Sequence, residues 1–349
     1  MVYINMPRHV NIPIFIPHVG CPNQCTFCNQ RTISGVQSFD IESVDGEISK
    51  ALETVSVDDE CEIAFFGGSF TGIDRETLIY LLQTANKYVE QGRVKSIRCS
   101  TRPDYINNEI LEILKKYNLK TIELGLQSAN DQVLALCKRG HTLEDEKNAC
   151  DLIVNGGFEL VGQMMIGLPG STTESEKQTA EFIINSGAKA VRIYPTVVFH
   201  NTELCDTTKK KLYKPLTVEE AVERSALVYR LFIDNNIEVL RIGLHASENL
   251  INNDTYFAGP NHPALGELVY NRIFFDKICE YIESNGFSVE NEITVFVARG
   301  CTSKAVGQSK INISKLKERY RFKTINVREA DNLSQFDVLI KTERIVQCT

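Results

Sequence analysis

The chain has no apolar run near the length needed to cross a bilayer, and its first residues, Met1-Val-Tyr-Ile-Asn-Met-Pro, have neither the basic nor the apolar region of a signal peptide. No membrane partner is expected, and a cytoplasmic location is the default. A disulfide framework is missing too. The 11 cysteines are an odd number scattered over 349 residues, and outside one tight group none is closer to its neighbour than Cys137 is to Cys150. Disulfide scaffolds are small and dense, so a reducing compartment is expected. Cys61, Cys99, Cys150 and Cys279 lie in apolar or periodic segments and read as small core residues. Cys301 and Cys348 carry no assignment. With 43% hydrophobic and 24% charged residues, the chain can bury one large domain plus a smaller one.

The tight group is Cys21, Cys25 and Cys28, just after a short apolar segment. Three thiolates on one loop can hold three corners of an iron–sulfur cube and leave the fourth iron open to a ligand. The spacing equally allows zinc, with a fourth ligand such as His18.

From residue 12 to about 195, short apolar runs alternate with segments of helical period, the pattern of parallel βα units. The strand candidates are Ile12–Ile16, Glu62–Phe66, Ser96–Cys99, Thr121–Leu124, Glu159–Ile166 and Ala190–Tyr194. Between them, Glu76–Val89, Asn108–Tyr117 and Glu174–Ser186 carry apolar residues three and four apart and fit amphipathic helices. Six such units predict an open, partial (β/α)6 TIM-like barrel with its chemistry at the carboxyl ends of the strands. The cysteine loop follows the first strand. After the second comes Gly67-Gly68-Ser69-Phe70-Thr71, where paired glycines let backbone approach a ligand. Ser100 to Asp104 follow the third strand, Gly125-Leu126-Gln127-Ser128 end the fourth, and Lys138-Arg139-Gly140-His141 come later. The fifth strand carries Gln163 and ends in Gly167-Leu168-Pro169-Gly170.

Together these motifs resemble the radical S-adenosylmethionine (SAM) superfamily, whose cluster loop reads Cys-x3-Cys-x-aromatic-Cys, with Phe27 at the aromatic position. The resemblance implies a [4Fe-4S] cluster on Cys21, Cys25 and Cys28. Its open iron is chelated by the methionine part of SAM, and a one-electron donor such as flavodoxin or ferredoxin drives cleavage to a 5′-deoxyadenosyl radical. It implies cofactor contacts from Phe27, Gly67, Gly68, Ser69, Ser100, Gln127, Arg139 and Gln163. Ser69 stands where many members have glutamate. Arg139 falls where the coproporphyrinogen-oxidase branch has an arginine for the methionine carboxylate, and Gln163 replaces that branch's ribose-binding aspartate. The wording around Gly67, Arg102 and Gln127 looks most like the radical SAM domain of Elongator's catalytic subunit, which modifies tRNA. The likeness covers roughly residues 12 to 250. No Gln/Arg-x-x-Gly-x-Gly/Ala acetyl-coenzyme A loop occurs in the chain.

The bounds expected are a core barrel over 1–200, an extension over 201–286 and a small α+β segment over 287–349. The extension holds the strand Glu238–Ile242 and two loops with His245 and His262, read as structural or solvent-facing rather than catalytic. In the last segment the order is strand Glu292–Ala298, helix Cys301–Val306, turn Gly307–Lys310, helix Asn312–Tyr320 and strand Phe322–Val327. It resembles the KH nucleic-acid-binding core, with Lys310 replacing the second glycine of its Gly-x-x-Gly turn. Residues 299–323 hold eight Lys or Arg and one acidic residue, Glu318, while the whole chain carries −7. A basic patch on an acidic chain points to a polyanionic partner such as tRNA, with Gly307, Lys310, Lys315 and Lys317 as contacts, or it is a solvated lysine-rich face. The expected function is a radical SAM enzyme on RNA. The alternatives are one on a small molecule or porphyrin, and a non-catalytic cluster or haem carrier.

Overall fold

The structure is a computed structural model and describes residues 8–17, 19–21, 25–31, 36, 38–244, 255–286 and 292–343. His18, His245 and Cys348 lie outside the described residues. The chain divides into two compact units, Met1–Thr217 with Leu231–Asn261, and Val218–Arg230 with His262–Thr349. The bounds read from sequence, 200 and 286, differ from this division. Val198–Phe199 pairs antiparallel with Tyr256–Ala258 and ties both stretches to the first unit.

The first unit alternates strands and helices: β1 (His9–Phe15), α1 (Val44–Leu52), β2 (Glu60–Phe66), α2 (Arg75–Glu90), β3 (Ser96–Thr101), α3 (Asn108–Lys116), β4 (Leu119–Gln127), α4 (Asp131–Leu136) and α5 (Leu143–Asn155). It continues with β5 (Glu159–Ile166), α6 (Thr173–Asn185), β6 (Ala190–Pro195), β7 (Val198–Phe199) and α7 (Glu203–Lys209). After α8 (Val218–Asp234) come β8 (Glu238–Ile242) and β9 (Tyr256–Ala258). The main sheet runs β1-β2-β3-β4-β5-β6-β8, every pairing parallel, an open half-barrel. The six-unit barrel expected from sequence is therefore extended by β8 as a seventh strand.

Side chains alternate across these strands, so one parity faces the helices and the other the hollow of the barrel. Ile63, Phe65, Ile97, Cys99, Ile122, Leu124, Leu126, Val191 and Ile193 are all fully buried on the helix side. Helix α2 answers with Leu78, Leu81, Leu82 and Ala85, spaced three and four apart and fully buried. Burying a leucine contributes about 1.5–3 kcal/mol, which is what holds the layers together. The helices start at side-chain caps: Asp74 accepts from Thr77 N at 2.9 Å, Asn107 accepts from Ile110 N at 2.9 Å, and Thr142–Asp145 and Thr172–Ser175 form capping boxes.

The second unit is a small α/β body. It contains α9 (Leu265–Asn285), β10 (Glu292–Ala298), α10 (Thr302–Val306), α11 (Ile311–Tyr320), β11 (Ile325–Ala330) and β12 (Val338–Glu343). Strand β10 is central, parallel to β11 and antiparallel to β12. Its core combines Ile293, Val295 and Val297 with a ring cluster of Tyr229, Tyr270, Phe274 and Phe336. Strand β11 starts three residues later than the expected Phe322, because Arg321 caps α11 in a left-handed conformation and Phe322 is buried in the turn that follows.

Candidate functional site

The cysteine loop leaves the carboxyl end of β1 and is locked to the loop after β2, backbone on backbone. Ser69 N donates to Val19 O at 3.1 Å. A Cβ on Gly68 would lie 2.4 Å from Val19 O and 2.6 Å from Ile16 O, and one on Gly20, at φ +77°, would lie 2.2 Å from Ser69 O. Only glycine permits that approach. Further along, Thr26 N donates to Cys137 O at 3.1 Å and Thr26 O accepts from Leu204 N at 2.8 Å. Phe27 is seated between an apolar cluster of Val133, Cys137 and Leu168 and another of Val198, Leu204 and Cys205.

This anchoring brings Cys21, Cys25 and Cys28 to one cavity of about 820 Å³ in the hollow of the half-barrel. Burial pushes the Cys28 thiol up to about 12, with Cys25 and Cys21 adding to it, and burial with Cys25 raises Cys21. Arg139 Nη1 donates to Cys25 Sγ at 3.2 Å. The Cys21 and Cys28 thiols therefore hold their protons at neutral pH until a cationic centre takes the protons' place. A mononuclear zinc site gathers its ligands around one ion, whereas a cubane gives each thiolate its own iron. Among the described residues no group of three or more His, Cys, Asp or Glu is gathered around a single metal position, and His18 is not among those residues.

Phe27, Gly67, Gly68, Ser100, Gln127, Arg139 and Gln163 all line the same cavity. Ser69 does not. Its fully buried side chain turns to Thr101 Oγ1 at 3.2 Å, which lies 2.5 Å from Thr71 Oγ1, so this hydroxyl trio pins the loop after β2 to β3. Gln127 has a left-handed φ of 72° at a register shift between β4 and β5, and its Nε2 donates to Gln163 Oε1 at 3.4 Å. Such strain marks positions that the surroundings hold for a purpose.

Two guanidiniums stand beside the thiols. Arg139 Nη2 donates to Gly125 O at 2.5 Å, and Arg102 donates twice to Asp104 at 2.9 Å and once to Arg139 O. Arg139 Nε and Arg102 Nη1 are buried without an acceptor. Behind them His141 Nε2 lies 3.0 Å from Glu146 Oε1, and burial with the two neighbouring arginines pushes His141 down to about 3.

Inward positions on β3, β4, β6 and β8 add a second charged group that the sequence reading did not single out. Arg98, Glu123, Arg192, Tyr194 and Arg241 line the cavity. Arg192 Nε donates to Glu123 Oε2 at 2.8 Å, and Arg98 Nη1 donates to Glu62 Oε2 at 3.3 Å. The signal was available: a charged residue inside an otherwise apolar strand is costly and rarely idle.

Gly307, Lys310, Lys315 and Lys317 belong to the second unit. Gly307 is buried at φ +79°, where a Cβ would meet Ile311 Cγ2 at 2.9 Å, and the three lysines are exposed. His262 Nδ1 accepts from Ala264 N at 3.1 Å, a structural role.

Comparison with known proteins fits this geometry. The profile of the radical SAM superfamily matches residues 15–183, and that of the radical SAM C-terminal domain matches residues 188–274. The chain belongs to the radical SAM superfamily. It is 35% identical over 160 residues to the tRNA uridine(34) acetyltransferase of Methanocaldococcus jannaschii, covering 44% of this chain and 29% of that protein. It is 29% identical over 193 residues to human Elongator complex protein 3, covering 50% and 35%. The chain thus spans about a third of the length of these curated relatives. Among solved structures, an amino-terminally truncated Elp3 of Methanocaldococcus infernus aligns with a TM-score of 0.61 at 23% identity, covering 81% of this chain and 64% of that one, which establishes the common fold. Radical SAM proteins use a [4Fe-4S] cluster and SAM, and the donor set here fits both. Three thiols on one wall suit a cube with an open iron, and the buried N–H groups of Arg102 and Arg139 suit a carboxylate. Among the described residues no helix is long and apolar enough to cross a membrane.

Proposed function

We propose that this protein is a radical SAM enzyme that acts on RNA, with tRNA as the favoured substrate class. The observation that carries the catalytic half is the meeting of Cys21, Cys25 and Cys28 with two partly unsatisfied guanidiniums in one cavity. The bound cluster would supply one electron to the sulfonium of SAM, releasing a 5′-deoxyadenosyl radical that abstracts hydrogen from a substrate. The chain's own residues do the holding. Cys21, Cys25 and Cys28 ligate three irons, and Arg139 steadies the Cys25 sulfur through its 3.2 Å contact. Arg139 Nε and Arg102 Nη1 orient the methionine carboxylate, the Gly67–Gly68 backbone admits the cofactor closely, and Ser100, Gln127 and Gln163 offer polar contacts. A flavodoxin or ferredoxin class of donor would supply the electron.

The RNA half rests on the second unit and on the relatives. Lys310, Lys315, Lys317, Arg321 and Lys323 are exposed, and among the described residues their side chains make no ion pair. The strand–helix–turn–helix–strand order of β10 to β11 follows the KH pattern, and a relative named for tRNA uridine(34) is 35% identical to this chain over 160 residues. A cluster-loaded sample given dithionite and SAM should release 5′-deoxyadenosine; a full cluster with no release would favour a carrier role. Binding of tRNA that weakens steeply with salt would support the RNA role, whereas no binding would favour a small-molecule substrate.

A further inference from the structure

The cavity contains more positive charge than the proposed cofactor site uses. Arg98 comes from β3, Arg192 from β6 and Arg241 from β8, and β4 sends Glu123 between them. The register supports this neighbourhood: Arg192 stands opposite Arg241, and Arg98 Nη2 lies 3.8 Å from the Glu123 Oε2 that Arg192 Nε already holds at 2.8 Å. On its other side Arg98 shares Glu62 with His9, whose Nε2 is 2.8 Å from Glu62 Oε2. Three guanidiniums therefore face two carboxylates.

The shortfall is local and can be named atom by atom. The Arg98 side chain is only 6% exposed, yet its Nε and Nη2 have no hydrogen-bond acceptor. Among the described residues Arg241 makes no hydrogen bond or ion pair, although its charge reaches the Tyr194 hydroxyl. Native structures rarely leave buried guanidinium N–H groups unmet, because each costs the desolvation of a charged donor. A purely structural ionic network would close on itself. This one leaves Arg98 Nε and Nη2 without an acceptor.

The methionine carboxylate does not fill that gap. The inward positions Glu123 and Gly125 are two residues apart on β4, about 6–7 Å, so the Arg98 group sits one layer below Arg139, which reaches Gly125 O. At about 820 Å³ the cavity lies toward the upper end of the usual ~300–1,000 Å³ range for ligand pockets.

We propose that Arg98, Arg192 and Arg241 form an oxyanion subsite that binds the carboxylate or phosphate of a second small molecule, held in the same cavity as SAM. The proposal goes beyond the assignment to RNA, since it concerns what enters the barrel rather than what the basic second unit grips, and it can be tested without any turnover. Calorimetry on the cluster-loaded full chain, with inorganic phosphate in one arm and malonate in the other, should show one saturable site. The tighter arm identifies the oxyanion. Arg241→Gln should weaken that binding at least tenfold and Arg241→Lys less, with unchanged melting temperatures showing that both variants fold. Added SAM should leave the probe bound. No saturable binding in either arm, equal binding by Arg241→Gln, or displacement of the probe by SAM would each overturn the proposal. Release of 5′-deoxyadenosine is read separately, so failure of the subsite and failure of radical chemistry are distinguishable.

Discussion

The cations that line the half-barrel's cavity and those gathered on the second unit are held in opposite ways. In the half-barrel, Arg98, Arg102, Arg139 and Arg192 are buried or nearly so and each is tied to a fixed acceptor at Glu62, Asp104, Gly125 or Glu123. In the second unit, Lys310, Lys315, Lys317, Arg321 and Lys323 are exposed. A buried guanidinium on a strand can select one geometry, because its position is set by the sheet and its charge is unscreened. An exposed lysine selects only sign, and salt within a Debye length of about 8–10 Å weakens it. The contrast suits a barrel that recognises defined small groups and a second unit that meets a polyanion.

The largest effect should come from Cys25→Ala, which removes the sulfur that Arg139 contacts. Cluster absorbance and 5′-deoxyadenosine release should both fall to background, and a retained chromophore would mean that the ligands are elsewhere. Next is Glu123→Gln, which strips the carboxylate from between Arg192 and Arg98. Breaking a buried pair from one side costs about 3–5 kcal/mol, readable as a lower urea midpoint. A change under 1 kcal/mol would place the Arg98–Glu123–Arg192 group on the screened side of the comparison.

A smaller effect depends on pH. Burial pushes Glu62 up, but hydrogen bonds from Ser96 and His9 and the charge of Arg98 together bring it below its usual 4.5. A carboxylate depressed in the fold contributes stability above its unfolded value and loses it as pH falls through the folded one. The gap in stability between wild type and Glu62→Gln should be about 1–3 kcal/mol near neutrality and close as pH drops below about 4.5. A gap that widens in acid would reverse the sign argued here. Least disruptive to the fold is replacement of Lys310, Lys315 and Lys317 by Gln. Stability should stay within about 0.5 kcal/mol. The slope of log K for tRNA against log salt should shrink by about 2–3. An unchanged slope would remove these lysines from the contact.

Much of the half-barrel was legible because its unusual residues sit where strands end. Cys21, Cys25, Cys28, Gly67, Gly68, Gln127 and Arg139 stand out in a linear reading, and the cavity collects all of them. Arg98, Glu123, Arg192 and Arg241 were not legible in the same way. Each sits singly among uncharged neighbours inside a strand, and only the lateral register reveals that they meet. Ser69 illustrates the limit from the other side: its place in the glycine loop suggested a ligand contact, while its rotamer serves Thr101. The β7–β9 pair went unread because strands of two and three residues are too short to show a period, and β12, an edge strand, has an apolar run of three residues before it turns polar.

The two hydrogen bonds on Thr26 also bear on biosynthesis. The cysteine loop is emitted early by the ribosome, yet it hangs from Cys137 O on one side and Leu204 N on the other. More than half of the polypeptide must be made before that suspension exists. Metal delivery should therefore follow translation of α7, a schedule that the iron content of nascent chains ending before and after Leu204 would check.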